Sequence, residues 1–293
     1  MNTLETIEKL GNLDLSTYPL NEIKNLINGF NCLKVVRLRL SPNTLITRIR
    51  RGRGYSRREE LSYPPVTVCQ KCQRASLPMQ TMFYGTLSDS VSATVDNRAI
   101  ALSECSSLTR QGIASKGIES FTVSNWSVVK PITVAAIVDD IVFENIKGNK
   151  LLELAKDKFK EFNTSDEYNS YARFVANEFS KPVVYDYDYL ISAAISDAYV
   201  HQVNFDGIVY PSVRIGGQAG MDIALKPNVV DESLMLMRAA EMTFCKNGDK
   251  SMAFIDRVSD SLSWNYRTVN NYDKNMIAKH IGLESLSELP IIN

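Results

Sequence analysis

This 293-residue sequence predicts an α+β fold with largely antiparallel sheets, and three observations predict it. Segments of alternating apolar and polar residues come in a block before residue 140, three amphipathic helical segments follow one another between residues 149 and 200, and strand patterns return afterwards. Strands and helices grouped in this way, without strict alternation, argue against a parallel α/β sheet.

The first thirty residues read as helical. In STYPLNEIKNLINGF, Pro19 suits a first turn, Leu20, Ile23, Leu26 and Ile27 share one face, and Gly29 offers a stop. From residue 34, KVVRLRL and TLITRIR alternate as half-buried strands do. After the arginine-rich RIRRGRGYSRREE (48–60) and the turn SYPP, further strands are expected at TMFYGTL, AIALSECS, FTVSNWSVV and ITVAAIV. NKLLELAKDKFKEF places Leu151, Ala155, Phe159 and Phe162 on one helical face. SDEYNSYARFVANEF does the same for Tyr168, Tyr171, Ala172, Val175 and Phe179, with Ser165 as N-cap. A third helix covers YDYLISAAISDAYV, strands resume at GIVYPSV and MDIALKP, and the tail passes through SLMLMRAAEMTF and SMAFIDRVS to a last helix near NMIAKHIG.

Composition narrows the function. Lys+Arg and Asp+Glu balance at 33 each, so no global field draws the chain to nucleic acid or an anionic membrane, and direct nucleic-acid binding is not expected. No basic start followed by an apolar block suggests a secretory signal, and no apolar run nears the ~20 residues of a membrane helix. A soluble, cytoplasmic protein is expected, and five cysteines suit a reducing compartment. CQKC (Cys69, Cys72) has zinc-knuckle spacing but no second pair, and the two histidines, His201 and His280, stand alone, so no metal is expected. Ser212 lacks a GxSxG context, and no Walker or Rossmann glycine motif occurs.

Two residues resist a bland reading. Glu104 sits in AIALSECSS: on a strand it would share a side with Ile100 and Leu102, either ending an apolar face or marking where the strand leaves the core. Arg48 shares a side with Ile46 and Arg50; if Leu45, Thr47 and Ile49 face the core, Arg48 looks into solvent or into a cleft, where its planar fork suits a phosphate or pyrophosphate.

RIRRG, SYPP, QRASLPMQTMFYG, ALSE, DGIVYPSVR and MDIALKP, in that order between about residues 44 and 230, resemble the RES domain family, named for its arginine, glutamate and serine. The resemblance implies an NAD-binding fold like that of ADP-ribosyltransferase toxins. The implied activity is that of a toxin cleaving the nicotinamide–ribose bond of NAD, its substrate, by glycohydrolysis or phosphorolysis, with protein ADP-ribosylation or a decayed, non-catalytic binding module as alternatives. The implied partner is a helix-turn-helix antitoxin, with phosphate as a possible second substrate. On this reading residues 1–40 form a helical extension, 41–232 the NAD-binding catalytic domain, and 233–293 strands and a helix packed on that domain.

Position by position, Arg48 and Arg74 match the family arginines and would hold the pyrophosphate. Tyr84 matches the family tyrosine and would stack near the nicotinamide, at ~0.5–1.5 kcal/mol beyond area burial. Glu104 matches the glutamate that would stabilise a cation-like ribose, and Ser212 the serine that would hydrogen-bond the ribose or nicotinamide end. Gly85 would let the chain turn close beneath the ligand, Tyr210 would pack, and Asp222 would be structural. The sequence departs from the family at Gln73, Ser76 and Met79, where glycine, asparagine and glycine are usual. Glu104 follows Tyr84 by 20 residues, which implies a loop inserted at SDSVSATVDN.

Overall fold

Apolar alternation and helical stripes resolve, in the computed structural model, into a mixed α+β architecture around one large, open, mostly antiparallel sheet. The structure describes residues 2–30, 35–87, 97–144, 149–161, 165–212, 220–260, 264–269 and 273–292. Helices α1 (Thr3–Gly11) and α2 (Leu20–Asn28) lead into strands β1 (Val36–Leu40) and β2 (Leu45–Arg51). The short helix α3 (Arg58–Leu61) precedes β3 (Phe83–Leu87). Helices α4 (Asn97–Cys105) and α5 (Ser107–Arg110) then lead to the long β4 (Lys116–Val128) and to β5 (Ile132–Ala136). Next come α6 (Lys150–Glu161), α7 (Asp166–Ser180) and α8 (Leu190–Asp197), the last continuing into a π-helical turn, and then β6 (Gly207–Pro211), β7 (Met221–Leu225) and α9 (Pro227–Ser233). The chain finishes with β8 (Leu234–Asn247), β9 (Lys250–Asp260), β10 (Arg267–Thr268), α10 (Lys274–His280) and β11 (Ile291–Ile292).

Among the described residues the strands lie in the order β1-β5-β6-β7-β3-β2-β4-β8-β9-β10, with β11 against β4. Only β5–β6 and β4–β11 run parallel among these pairings. β8 pairs along the whole of β4, whose other edge is shared by β2 and β11. Strands β6 and β7 are buried at every position, so their sequences read as continuous apolar runs with no alternation to show a core face.

The helical stripes pack as their periodicity predicts. On α2, Ile23, Leu26 and Ile27 are buried and Gly29 is the C-cap, while Pro19 stands one place earlier than expected, as N-cap. On α7, Tyr168, Tyr171, Ala172, Val175, Ala176 and Phe179 are buried, and the Ser165 hydroxyl accepts the Tyr168 N–H. On α6 the buried residues are Leu152, Ala155 and Phe159, with Leu151 half-buried; Phe162 lies outside the described residues. Among the described residues no helix is long and apolar enough to cross a membrane.

The strand expected at AIALSECS is wrong: these residues belong to helix α4. Ile100, Ala101 and Leu102 are buried in succession, a run compatible with either element, and alanine, leucine and glutamate are strong helix formers. Ala101 and Leu102 join Leu108 of α5 and pack on Ile49, Phe121, Val123, Met242 and Phe244, so α4 lies across β2 and its neighbours. Ile46, one turn of the pleat away, joins the main core instead. β2 is therefore covered on both faces, where the sequence suggested one. The loop expected at SDSVSATVDN lies outside the described residues but for its last residue, Asn97.

What fixes α4 and α5 to the sheet is Glu119 of β4. Its fully buried carboxylate takes hydrogen bonds from the Ser106 hydroxyl, from the Ser107 N–H at 3.0 Å and from the Ser107 hydroxyl at 2.5 Å, and pairs with Arg51 at 2.5 Å. Burial alone would raise its pKa, but these hydrogen bonds and the Arg51 charge outweigh burial and hold it below the ordinary 4.5. A carboxyl depressed in this way stabilises the fold above its unfolded pKa and loses that contribution as pH falls through the lower folded value. Glu119→Gln is therefore expected to cost about 1.5–3 kcal/mol at neutral pH in urea denaturation, with the gap to wild type closing in acid. A gap that is absent, or that does not close in acid, would contradict the anchoring role.

Candidate functional site

The site begins with a short ladder. β2 and β3 pair only at Ile46–Leu87 and Thr47–Thr86, although β3 goes on pairing with β7 back to Phe83 and β2 with β4 out to Arg51. Past Thr47 the two strands part. Gly85 stands at the point of parting, where an added Cβ would lie 2.6 Å from Ile46 Cγ2 and 3.0 Å from the Thr47 carbonyl oxygen. The glycine is thus required by the close approach of β2 inside a strand, and the expected turn beneath a ligand is not there.

A cleft of about 410 Å³ opens over this parting, within the size range of small-ligand sites. Its floor is a transverse row of cross-strand neighbours, Tyr210 of β6, Asp222 of β7, Thr86 of β3 and Thr47 of β2. One wall is Gln73, Arg74 and Tyr189; the other is Ala101, Glu104, Cys105 and Arg110 from α4 and α5. Arg48, Arg74, Tyr84 and Glu104 all line the cleft, and Ser212, at the end of β6, donates to Glu104 Oε1 at 3.1 Å. The five residues singled out from the sequence are brought together from five separate segments.

Arg48 occupies the opening between the strands. Its Nη1 donates to the Tyr84 carbonyl at 2.6 Å, a group lying beyond the β2–β3 ladder, and its guanidinium sits 5.2 Å from the centre of the Phe83 ring. Burial lowers its pKa to about 10 from 12.5, with the nearby Arg50 charge acting in the same direction. Its Nε is sealed from solvent without a hydrogen-bond partner, and among the described residues no carboxylate pairs with it. A desolvated cation left in this state is costly unless an anion joins it.

Arg74 is more committed than the sequence suggested. Its Nη1 donates to the carbonyl of Phe179 at 2.6 Å and reaches that of Glu178 at 3.5 Å, and its Nη2 reaches that of Lys181 at 3.4 Å, closing the C-terminus of α7, while its guanidinium lies 5.1 Å from the Tyr189 ring centre. Its charge faces the cleft, but its fork is largely spent on the helix. Tyr84 is held by its hydroxyl, 2.8 Å from the Ser76 hydroxyl and 3.3 Å from the Ala75 N–H, and burial pushes the phenol well above its usual range. Ser76, one of the departures from the family pattern, thus supplies the polar contact that orients this ring. Met79, another departure, adopts φ 61°, the left-handed conformation that glycine takes without strain.

Most of the rest of the arginine patch pairs with the protein's own acids while staying partly exposed. Arg51 pairs with Glu119, Arg53 with Asp256, Arg57 with Glu60 at 3.6 Å and Arg58 with Asp231 at 3.4 Å, and Arg50 donates to the Glu60 carbonyl. Cys69 and Cys72 are buried free thiols, and among the described residues no group of three or more His, Cys, Asp or Glu is arranged to hold a metal ion.

Sequence reasoning undervalued Asp222. It is 7% exposed, forms part of the cleft floor and accepts the Thr86 hydroxyl at 2.8 Å. Burial, and then the charge of Glu104, raises its pKa to about 8 from 3.8. The available signal was a carboxylate inside an unbroken apolar run, MDIAL. Tyr210 packs as expected, its ring 5.4 Å from that of Phe179. The cleft thus places a desolvated cation at the parting of the strands and two interacting acids on its floor and wall.

If Arg48 is there for a ligand, removing its charge should not harm the fold. Arg48→Met is expected to stay within about 1–3 kcal/mol of wild type in urea denaturation, since relief of a poorly compensated charge offsets the loss of its hydrogen bond to the Tyr84 carbonyl. A loss of several kcal/mol would assign Arg48 to the scaffold. No protein-family model matches this chain and no curated protein matches its sequence, so a functional reading rests on this geometry and on the motif residues within it.

Proposed function

We propose that this protein degrades NAD by cleaving the nicotinamide–ribose bond, with Arg48, Arg74, Tyr84, Glu104 and Ser212 in the roles their resemblance to the RES family implies. The observation that carries the reading is the half-buried Arg48, with a buried, unpartnered Nε and no paired carboxylate among the described residues, in the same cleft as Glu104. A dianionic pyrophosphate supplies the charge that Arg48 lacks, and Arg74 adds a more distant positive field. Such a ligand would lie across the parting of β2 and β3 and bring its ribose toward Glu104 and Ser212.

Nicotinamide leaves as a neutral molecule from a cationic pyridinium, so no acid is needed to expel it. The developing positive charge falls on the ribose ring, and a fixed carboxylate stabilises it in the manner of glycosidase carboxylates. Ser212 orients that carboxylate through its hydrogen bond to Oε1. The Tyr84 ring, fixed through Ser76 and Ala75, offers an apolar face beside the leaving group. Arg110, exposed and lining the cleft, would be the cation that meets a phosphate acceptor.

Incubating the purified protein with NAD, with and without phosphate, tests the reading, and product identity separates the acceptors. Free ADP-ribose marks water, ADP-ribose 1-phosphate marks phosphate, and label fixed on protein marks ADP-ribosylation. Glu104→Gln is expected to slow turnover by about 100- to 1000-fold, the usual effect of removing one preorganised electrostatic group. NAD that survives intact both with and without phosphate would refute the proposal.

A further inference from the structure

We propose that Gln73 and Tyr189 form a base-recognition subsite specific for adenine, on the cleft wall opposite Glu104. Neither residue belongs to the motif set, and Gln73 stands where the family pattern usually has glycine. The subsite rests on the reading of this cleft as an NAD site and adds to it the residues that choose the base.

Placement comes first. With the pyrophosphate at Arg48 and the cleaved ribose toward Glu104 and Ser212, the adenosine half of a dinucleotide is left the opposite wall, which is Gln73, Arg74 and Tyr189. Tyr189 ends the short helical turn Asp186–Tyr189 and opens α8, where its carbonyl accepts the Ser192 hydroxyl at 3.1 Å. Its ring is half-buried and lies 5.1 Å from the Arg74 guanidinium, which is itself tied to the Phe179 carbonyl at 2.6 Å. A fixed ring beside a fixed guanidinium is a stacking platform, because bases stack on aromatic side chains and on arginine planes alike. The other tyrosines of the cleft have tasks already: Tyr210 packs on Phe179, and the Tyr84 hydroxyl is tethered to Ser76.

Gln73 supplies the contact to the edge of the base. Its N–H donates to the Ser76 carbonyl at 2.9 Å and its carbonyl accepts the Ser76 N–H at 3.2 Å, so its backbone is fixed while its side chain stays exposed on the cleft wall. Among the described residues no other group engages its amide. A carboxamide carries an acceptor and a donor side by side, the complement of the N6 amino group and N7 of adenine. Hypoxanthine has a carbonyl oxygen in place of that amino group. Facing the amide oxygen it repels, and turning the amide over sets the same oxygen against N7, so neither orientation satisfies both atoms.

Calorimetric titration of wild type with ADP-ribose and with its hypoxanthine counterpart, inosine diphosphate ribose, tests the subsite. The adenine form is expected to bind at least about fivefold tighter, the lower end for one bidentate base contact. Gln73→Leu is expected to bind the two alike. Tyr189→Ala is expected to weaken the adenine form by about tenfold, and Tyr189→Phe to retain most of the affinity, as stacking requires. In turnover, Gln73→Leu is expected to raise KM for NAD with far less effect on kcat, the mark of a contact made equally in ground and transition states. A loop merely disturbed by the substitution would lower kcat instead, through Tyr84 and Arg74. The wild-type comparison is read first and depends on no variant folding. Equal binding of the two ligands to wild type, or binding of neither, overturns the subsite, as does a preference that Gln73→Leu retains. Adenine-selective binding by a protein that leaves NAD intact would sustain the subsite and count against cleavage alone, and NAD turned over without any base preference would refute the subsite alone.

Discussion

The parting of β2 from β3 after Thr47 and Thr86 is the constraint from which the rest of the site follows. A ladder that ends in mid-sheet leaves backbone groups without strand partners, and buried backbone groups must be paired. Arg48 answers that need at the Tyr84 carbonyl, and in doing so is drawn into a place where its charge is desolvated. Gly85 lets the strands come close enough before they separate, through a contact that no side chain would fit. One local interruption of pairing thus creates the cavity and lodges a cation in its throat.

The electrostatics are arranged around that throat with little redundancy. Most arginines of the basic segment are neutralised by Glu60, Glu119, Asp231 and Asp256, so the cleft's field comes from a few specific groups. Glu119 has a second consequence: by gripping Ser106 and Ser107 it seats α4 on the sheet, and α4 carries Glu104. Arg74 does comparable service on the opposite wall by closing α7. Both walls are held by charged side chains bound to helix ends, which leaves the floor, with its buried Asp222, as the chemically unsettled part of the site.

Much of this was legible in the sequence. The stripes of α2 and α7 and the alternation of β1 gave correct elements because each has one covered face and one wetter one. Pattern failed where both faces are covered. Ile100 to Leu102 read equally well as strand or helix, and β7 concealed Asp222 within an apolar run that looked like simple core. The gathering of Arg48, Arg74, Tyr84, Glu104 and Ser212 depended on motif order, since nothing in their local patterns says that they meet. What no pattern could supply was Arg74's engagement with the end of α7, a contact between residues more than a hundred positions apart.

The central claim is that the Arg48 guanidinium is an anion subsite. The most direct measurement is calorimetric binding of ADP-ribose, which carries the pyrophosphate but cannot be cleaved at a nicotinamide bond, to wild type and to Arg48→Met. Binding that weakens by at least about tenfold in the variant, the equivalent of 1.4 kcal/mol, is the predicted result. Equal affinity in the two proteins, or no binding to wild type, would contradict the claim.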